Sequence, residues 1–320
     1  MSAEPQMHYV VNVHRNPAQV TRLLTTLRTQ SPAAHLHVRW DCAGERPDLD
    51  ALRALDVSVQ PTATPLPWGG PQLLLSVLDS LRQIQPAPHD WVMTLSGQDY
   101  PVQPLATLER FLVGSDADAL LDQSYLTNPS TPYLLARYRA RCFRLPGTRG
   151  TWVRRWVERL VERMPGMRLE ANVAGLPLPL AVRRLSTPFS DTFHNAMGRD
   201  YYALRGTSVA VLLAAARTPL LRYYKRTFAA GEGFVHVVLL NDPHLQVLAD
   251  PPQHFARFRP GIPHPDTLVT GDLPEVLSSG AFFARKFKPG DPVLDQLDAL
   301  LAQSMTSEPA PPDPLRRFLT

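Results

Sequence analysis

Apolar and polar positions along the first third of the chain switch between a period of two and a period near 3.6. His8-Tyr9-Val10-Val11-Asn12-Val13-His14 is β-branched and apolar and reads as a strand; Pro17 follows where a helix can begin, and Val20, Leu23, Leu24 and Leu27 recur at helical spacing. His35 to Trp40 reads as a second strand leading to Asp41, and Val57-Ser58-Val59 as a third. Leu74, Val77, Leu78 and Leu81 predict a helix over about residues 71–85, and Trp91 to Leu95 a strand closing on a Ser-Gly-Gln-Asp turn. This strand–helix rhythm over residues 8–115 predicts an α/β fold, a mostly parallel central sheet flanked by helices on both faces. Ligands of such sheets bind outside the carboxyl ends of the strands, where His14, Asp41 and Asp99 stand.

Residues 120–190 break the rhythm. Arg137, Arg139, Arg141, Arg144 and Arg149 precede an apolar stripe of Trp152, Val153, Trp156, Leu160 and Met164 backed by Arg and Glu. The stripe predicts a helical insertion packed on the main sheet; the alternatives are an acceptor-binding or a membrane-surface helix. The expected organisation is a single domain over 1–305 and a Pro-rich tail over 306–320.

Charge narrows the partners. The 33 Lys and Arg exceed the 29 Asp and Glu by a formal +4, too little to call for nucleic acid, so a local anion site is the expectation. Cys42 and Cys142 have no metal-ligand spacing, which predicts neither a structural zinc nor a disulfide framework and fits a reduced, cytoplasmic setting. The first residues carry no secretory pattern, and no apolar stretch reaches the roughly 20 residues of a membrane span, so no transmembrane segment is expected. Phosphate-loop, nucleophile-elbow and His-x-x-x-His patterns are absent from the sequence.

Candidate chemistry sits in three places. Ala281-Phe282-Phe283-Ala284-Arg285-Lys286-Phe287 sets two cations in an apolar flank, an odd composition for a core strand or a solvated face, and one that suits an anionic ligand. Glu232 lies between two glycines ahead of the apolar run Phe234 to Val238; a carboxylate there can take the proton of an attacking hydroxyl. The turn after residues 91–95 offers one carboxylate, Asp99, where a metal-dependent enzyme handling a diphosphate needs Asp-x-Asp. Asp116-Ala117-Asp118 has that spacing but follows no strong strand and reads as a solvated turn. No metal or other cofactor is therefore expected, and fixed cations must offset the charge of a leaving diphosphate.

Val10 to His14 with its following helix, Trp68-Gly69-Gly70, Leu95-Ser96-Gly97-Gln98-Asp99-Tyr100-Pro101, Tyr201-Tyr202-Ala203-Leu204, the Glu232 segment and Phe283 to Phe287, taken in that order, resemble the core-2/I-branching β-1,6-N-acetylglucosaminyltransferases and the related peptide O-xylosyltransferases. The resemblance spans most of the chain. It implies a GT-A type nucleotide-sugar transferase fold, inversion without a divalent metal, a UDP-sugar donor and a glycan or other hydroxyl acceptor. It makes Glu232 the general base, although Ala230-Gly231 replaces the family's Pro-Asp. It puts Lys286 and an upstream Arg on the diphosphate: Arg257 matches best, and Arg259 lies two residues on. Ser96, Gly97 and Asp99 fall in its donor turn, and His14 matches a His near the donor, with a structural His as the alternative. Asp41 either takes the part of the Asp beside the nucleotide base after a two-residue shift, or that contact is lost. Trp68-Gly69-Gly70 either brings backbone close to the donor or buries a Trp at a turn. N-acetylglucosamine is the sugar the resemblance implies; xylose, glucose and a catalytically silent glycan- or nucleotide-sugar-binding module are its rivals, with nucleic-acid binding through the Arg-rich stretch behind them.

Overall fold

The structure, a computed structural model, describes residues 4–122, 137–143, 156, 159–160, 163, 180–249, 253–259 and 264–306. The strands in chain order are β1 (Met7–Val13), β2 (His35–Trp40), β3 (Val57–Pro61), β4 (Trp91–Ser96), β5 (Asp99–Pro101), β6 (Ala119–Leu121), β7 (Ala140–Phe143), β8 (Leu180–Arg183), β9 (Tyr202–Arg205), β10 (Val247–Ala249), β11 (His254–Ala256) and β12 (Phe283–Arg285). The helices are α1 (Pro17–Gln30), α2 (Leu49–Ala54), α3 (Gln72–Ile84), α4 (Leu105–Gly114), α5 (Gly206–Ala215), α6 (Pro219–Tyr224), α7 (Gly231–Leu240), α8 (Leu273–Ser278) and α9 (Pro292–Thr306).

Seven strands form the main sheet in the order β10-β6-β9-β4-β1-β2-β3. Neighbours pair in parallel except at β9, which runs antiparallel to both β4 and β6. The expected α/β fold with a mostly parallel sheet is therefore what the chain adopts. A second sheet, β11-β12-β5, joins segments nearly 200 residues apart, with β12 antiparallel to β5 and parallel to β11.

The alternation along β1 builds two cores. Tyr9, Val11 and Val13 enter one with Leu23, Leu24 and Leu27 of α1 and Leu294 and Leu297 of α9. Val10 enters the other with Leu74, Leu78 and Leu81 of α3, Leu212 of α5 and Phe234 and Val235 of α7. Truncating one of these leucines to alanine costs about 2–5 kcal/mol. Among these helices α7 is apolar nearly all round and almost wholly buried, which carries Glu232 in its first turn to the edge of the core.

The insertion departs from expectation where it is described. Trp156 and Leu160 are 60 % and 41 % exposed, so these two members of the stripe are not packed on the main sheet; Trp152, Val153 and Met164 lie outside the described residues, as does the tail beyond 306. The described ends of the segment instead contribute the antiparallel pair β7–β8.

Candidate active site

Loops leave the carboxyl ends of β1, β2 and β4 side by side, and their backbones are tied together. Asp41 N donates to Val13 O at 2.7 Å, Glu45 N to His14 O at 3.1 Å and Gly97 N to Asn12 O at 3.0 Å. A Cβ on Gly44 would lie 2.3 Å from the His14 carbonyl oxygen, so only glycine lets the β2 loop rest on the β1 loop. The β4 turn closes on itself: Ser96 N donates to Asp99 Oδ2 at 2.7 Å and Gln98 N to Ser96 Oγ at 3.3 Å.

The second sheet delivers cations to this edge. Arg285 on β12 sits opposite Asp99 on β5, with Nε 3.4 Å from Asp99 Oδ1 and Nη1 donating to the Tyr201 hydroxyl. His254 Nε2 is 3.5 Å from Asp99 Oδ2, and its ring stacks on Tyr201 at 4.4 Å between centroids. Burial alone would raise the Asp99 carboxyl; Arg285, then His254 and the Ser96 amide, hold it below the usual carboxylate range. Asp99, expected at the donor, lies beneath the turn surface. With no exposed surface it presents no face to a ligand, and it compensates the buried Arg285 and shapes the turn.

Lys286 follows. Among the described residues no carboxylate lies within ion-pair distance of it; Asp266, the nearest acid acting on it, is bound by Arg259. Partial burial lowers the Lys286 ammonium below its ordinary value, and the charges of Arg15 and Arg285 lower it further. His264 is lowered by the same order of causes, burial first and then Lys286, Arg15 and Arg285, so these groups form one electropositive cluster.

The other expected donor contacts divide. Ser96 and Gly97 lie in the turn and His14 is exposed at the end of β1. Asp41 turns back on its own loop, its Oδ1 accepting from Ala43 N at 3.0 Å, which occupies one oxygen meant for a nucleotide base. Arg257, expected on the diphosphate, has acidic partners: Nη1 pairs with Asp272 at 2.8 Å and Nη2 with Glu275 at 2.5 Å, while Arg259 Nε pairs with Asp266 at 2.8 Å. Both guanidinium groups are already neutralised. Trp68 is not the buried alternative, being 49 % exposed; its ring meets Phe228 at 5.1 Å and His264 at 5.9 Å, edge to face.

Glu232 reaches the same region through two connections. Gly69 O accepts from Ala229 N at 2.9 Å, tying the Trp68 loop to the start of α7. A Cβ on Gly231 would fall 2.6 Å from Asp200 Oδ1, so the helix start is pressed against the segment Asp200-Tyr201, whose Tyr201 holds Arg285. That segment is itself pinned to β4 by Thr94 Oγ1 donating to Asp200 O at 3.1 Å. One turn along α7, the fully buried His236 meets Asp122 O at 3.0 Å, and burial pushes its imidazole down to about 4.

Sequence reasoning missed Arg15 and His254 as parts of the site, quoted Gln98 and Tyr201 only inside family motifs without a role, and read Arg285 with Lys286 as a cation pair for an anion, whereas Arg285 is paired with buried Asp99. Asp118 lies at the amino end of β6, opposite this edge, with its carboxylate accepting from Thr207 Oγ1 at 2.7 Å and Gln246 N at 3.0 Å. Among the described residues no three His, Cys, Asp or Glu side chains converge to hold a metal ion. A cavity of about 840 Å³ between α5, α6 and α7 is walled by Val211, Leu220, Tyr223 and Val238 and lies away from these groups. No helix among the described residues is long and apolar enough to cross a membrane.

No family model matches the chain. Two Arabidopsis thaliana proteins are similar to part of it: β-glucuronosyltransferase GlcAT14A, 36 % identical over 81 residues, and β-glucuronosyltransferase GlcAT14B, 33 % identical over 84. The matches cover 25 % and 26 % of this chain and only 18 % and 19 % of the relatives. Among solved structures, galactosyltransferase LgtC in complex with donor and acceptor sugar analogues aligns over 94 % of this chain and 97 % of that one, with a TM-score of 0.40 and 10 % identity. A 4-diphosphocytidyl-2C-methyl-D-erythritol synthase aligns over 68 % and 79 % with a TM-score of 0.31 and 10 % identity. Scores this low carry no weight of their own, and the fold class rests on the strand order. By sequence, the chain is a distant, partial homologue of the GlcAT14 β-glucuronosyltransferases, which belong to the core-2/I-branching family.

Proposed function

We propose that the protein is an inverting glycosyltransferase that moves a sugar from a UDP-sugar to an acceptor hydroxyl in a single displacement. Glu232 removes the hydroxyl proton as the oxygen attacks the anomeric carbon, and UDP leaves from the opposite face. Charge accumulates on the β-phosphate as the glycosidic bond breaks, and Lys286 is the ammonium that meets it. A fixed cation in this place does what a divalent ion does in metal-dependent transferases, so the reaction is proposed to proceed in EDTA.

One observation carries the reading. The segment Asp200-Tyr201 touches both the helix start that bears Glu232 and Arg285 at the end of β12, next to Lys286, so a candidate base and a candidate phosphate cation are joined through one segment. The partial homology supports the same chemistry and bears on the sugar: both relatives are named β-glucuronosyltransferases, which favours UDP-glucuronic acid, whereas the wider family resemblance implies UDP-N-acetylglucosamine.

UDP release tests this directly. The wild-type protein and Glu232→Gln are incubated in EDTA with UDP-glucuronic acid, UDP-N-acetylglucosamine, UDP-xylose or UDP-glucose and a mixed oligosaccharide pool. One donor is expected to turn over, and Glu232→Gln to slow it by about 10²–10⁴ while still binding UDP. UDP binding without release from any donor would favour the silent binding module instead.

A further inference from the structure

We infer that the second cation on the donor diphosphate is Arg15, held by Gln98 beside Lys286, and not Arg257. The inference rests on the nucleotide-sugar reading above and extends it to a residue outside the motifs that suggested it.

Arg15 stands in the loop that leaves the carboxyl end of β1, the edge where α/β sheets take their ligands. Its Nη2 donates to Gln98 Oε1 at 2.9 Å. Gln98 is buried, and its own carbonyl accepts from Phe287 N at 3.2 Å. A single residue of the β4 turn therefore grips the Arg15 side chain at one end and the residue after Lys286 at the other. This fixes the two cations relative to each other although they are 271 positions apart in sequence.

Among the described residues, no carboxylate lies within ion-pair distance of Arg15 or of Lys286, whereas three other arginines near this edge are engaged: Arg285 by Asp99, Arg257 by Asp272 and Glu275, Arg259 by Asp266. Holding two like charges together costs free energy, which a bound dianion recovers. The downward shift of the Lys286 ammonium, caused first by burial and next by Arg15, is the signature of that proximity. A sugar-linked diphosphate carries one charge on each phosphate and so matches the uncompensated pair. Arg15 spends one N–H on Gln98, and the guanidinium keeps further donors in a planar fork suited to phosphate oxygens. Arg257 would have to break two ion pairs to do the same.

Calorimetric titration of the full chain in EDTA with UDP and with inorganic pyrophosphate tests the assignment. Arg15→Ala is expected to weaken both ligands by about tenfold or more, since charge-assisted hydrogen bonds of this kind are lost. Arg15→Lys should recover part of the loss, and Arg257→Ala should change affinity by less than about twofold. Arg15 is exposed, so its melting temperature should stay at the wild-type value, which separates lost binding from lost folding. The assignment is overturned if Arg15→Ala binds both ligands like wild type, or if Arg257→Ala takes the larger loss. Wild-type binding of pyrophosphate through Arg15 without binding of UDP would keep the anion site and sink the nucleotide-sugar reading; binding of neither ligand would sink both.

Discussion

The two ends of the main sheet gather titratable side chains and treat them in opposite ways. At the amino end, His8 on β1 stacks on His35 of β2 at 4.8 Å, lies 3.2 Å from His37 through Nδ1 and Nε2, and approaches Asp90 at 3.8 Å. Asp90 in turn accepts from the amides of Gln6 and Ala87. These groups partner mainly with one another within the fold, although His8 Nε2 makes no hydrogen bond and only approaches Asp90. At the carboxyl end, Arg15 and Lys286 are held together with no carboxylate among the described residues within ion-pair distance, beside an Arg285 whose charge is cancelled by buried Asp99. Polar residues at a sheet end thus mark a ligand site only when the fold leaves their charge uncompensated; a cluster that closes on itself is structure.

The strongest way to break this contrast is at Glu232. Glu232→Gln should lower turnover by about 10²–10⁴ and leave UDP affinity and folding nearly unchanged, by steady-state kinetics and calorimetry. Asp99→Asn should do the reverse. It strands Arg285 in the interior and should cost about 3–5 kcal/mol in urea unfolding. Were Asp99 a donor contact only, stability would hold and affinity alone would fall. Lys286→Ala should reduce kcat/KM by about 10² with an intact fold, the effect of removing one group that stabilises developing charge.

Titration sharpens the comparison with smaller effects. Burial pushes His37 and His236 down to about 4 from an ordinary value of 6.5. Their folded values lie below their unfolded ones, so the neutral forms stabilise the native state fully above about pH 6.5, and that stability is lost as pH falls towards 4. Urea midpoints should therefore drop between pH 7 and pH 5, and His37→Gln should flatten the fall. UDP binding should respond on the other side: the Lys286 ammonium is lowered, so affinity should weaken as pH rises towards its value, and Lys286→Arg should move that loss to higher pH.

Much of the frame was legible because it repeats. β1 to β4 and the helices between them carry the two periods clearly, and their observed limits fall within a residue or two of the pattern, as in Trp91–Ser96 and Gln72–Ile84. The pieces that make the site were not. β5, β11 and β12 are three residues each, too short for any period, and their pairing across nearly 200 residues is a tertiary fact. The Asp99 turn is conspicuous in the sequence, but nothing in its pattern announces that the carboxylate is buried under β12 beside Arg285. Arg257 was favoured by its place in a motif, and the acids that claim it, Asp272 and Glu275, come 15 and 18 residues later around α8 with nothing in the pattern to announce them. Arg15 had no signal at all, since a lone Arg after a strand is ordinary until Gln98 and Lys286 are placed around it.

The central claim is that the carboxyl edge is an anion site for a UDP-sugar, and the most direct test is the melting temperature of the purified protein with UDP in excess EDTA. A ligand that binds only the folded chain raises that temperature. The account predicts a UDP-dependent rise that survives EDTA and disappears in Lys286→Ala. No rise, or a rise that requires added Mn²⁺, would contradict it.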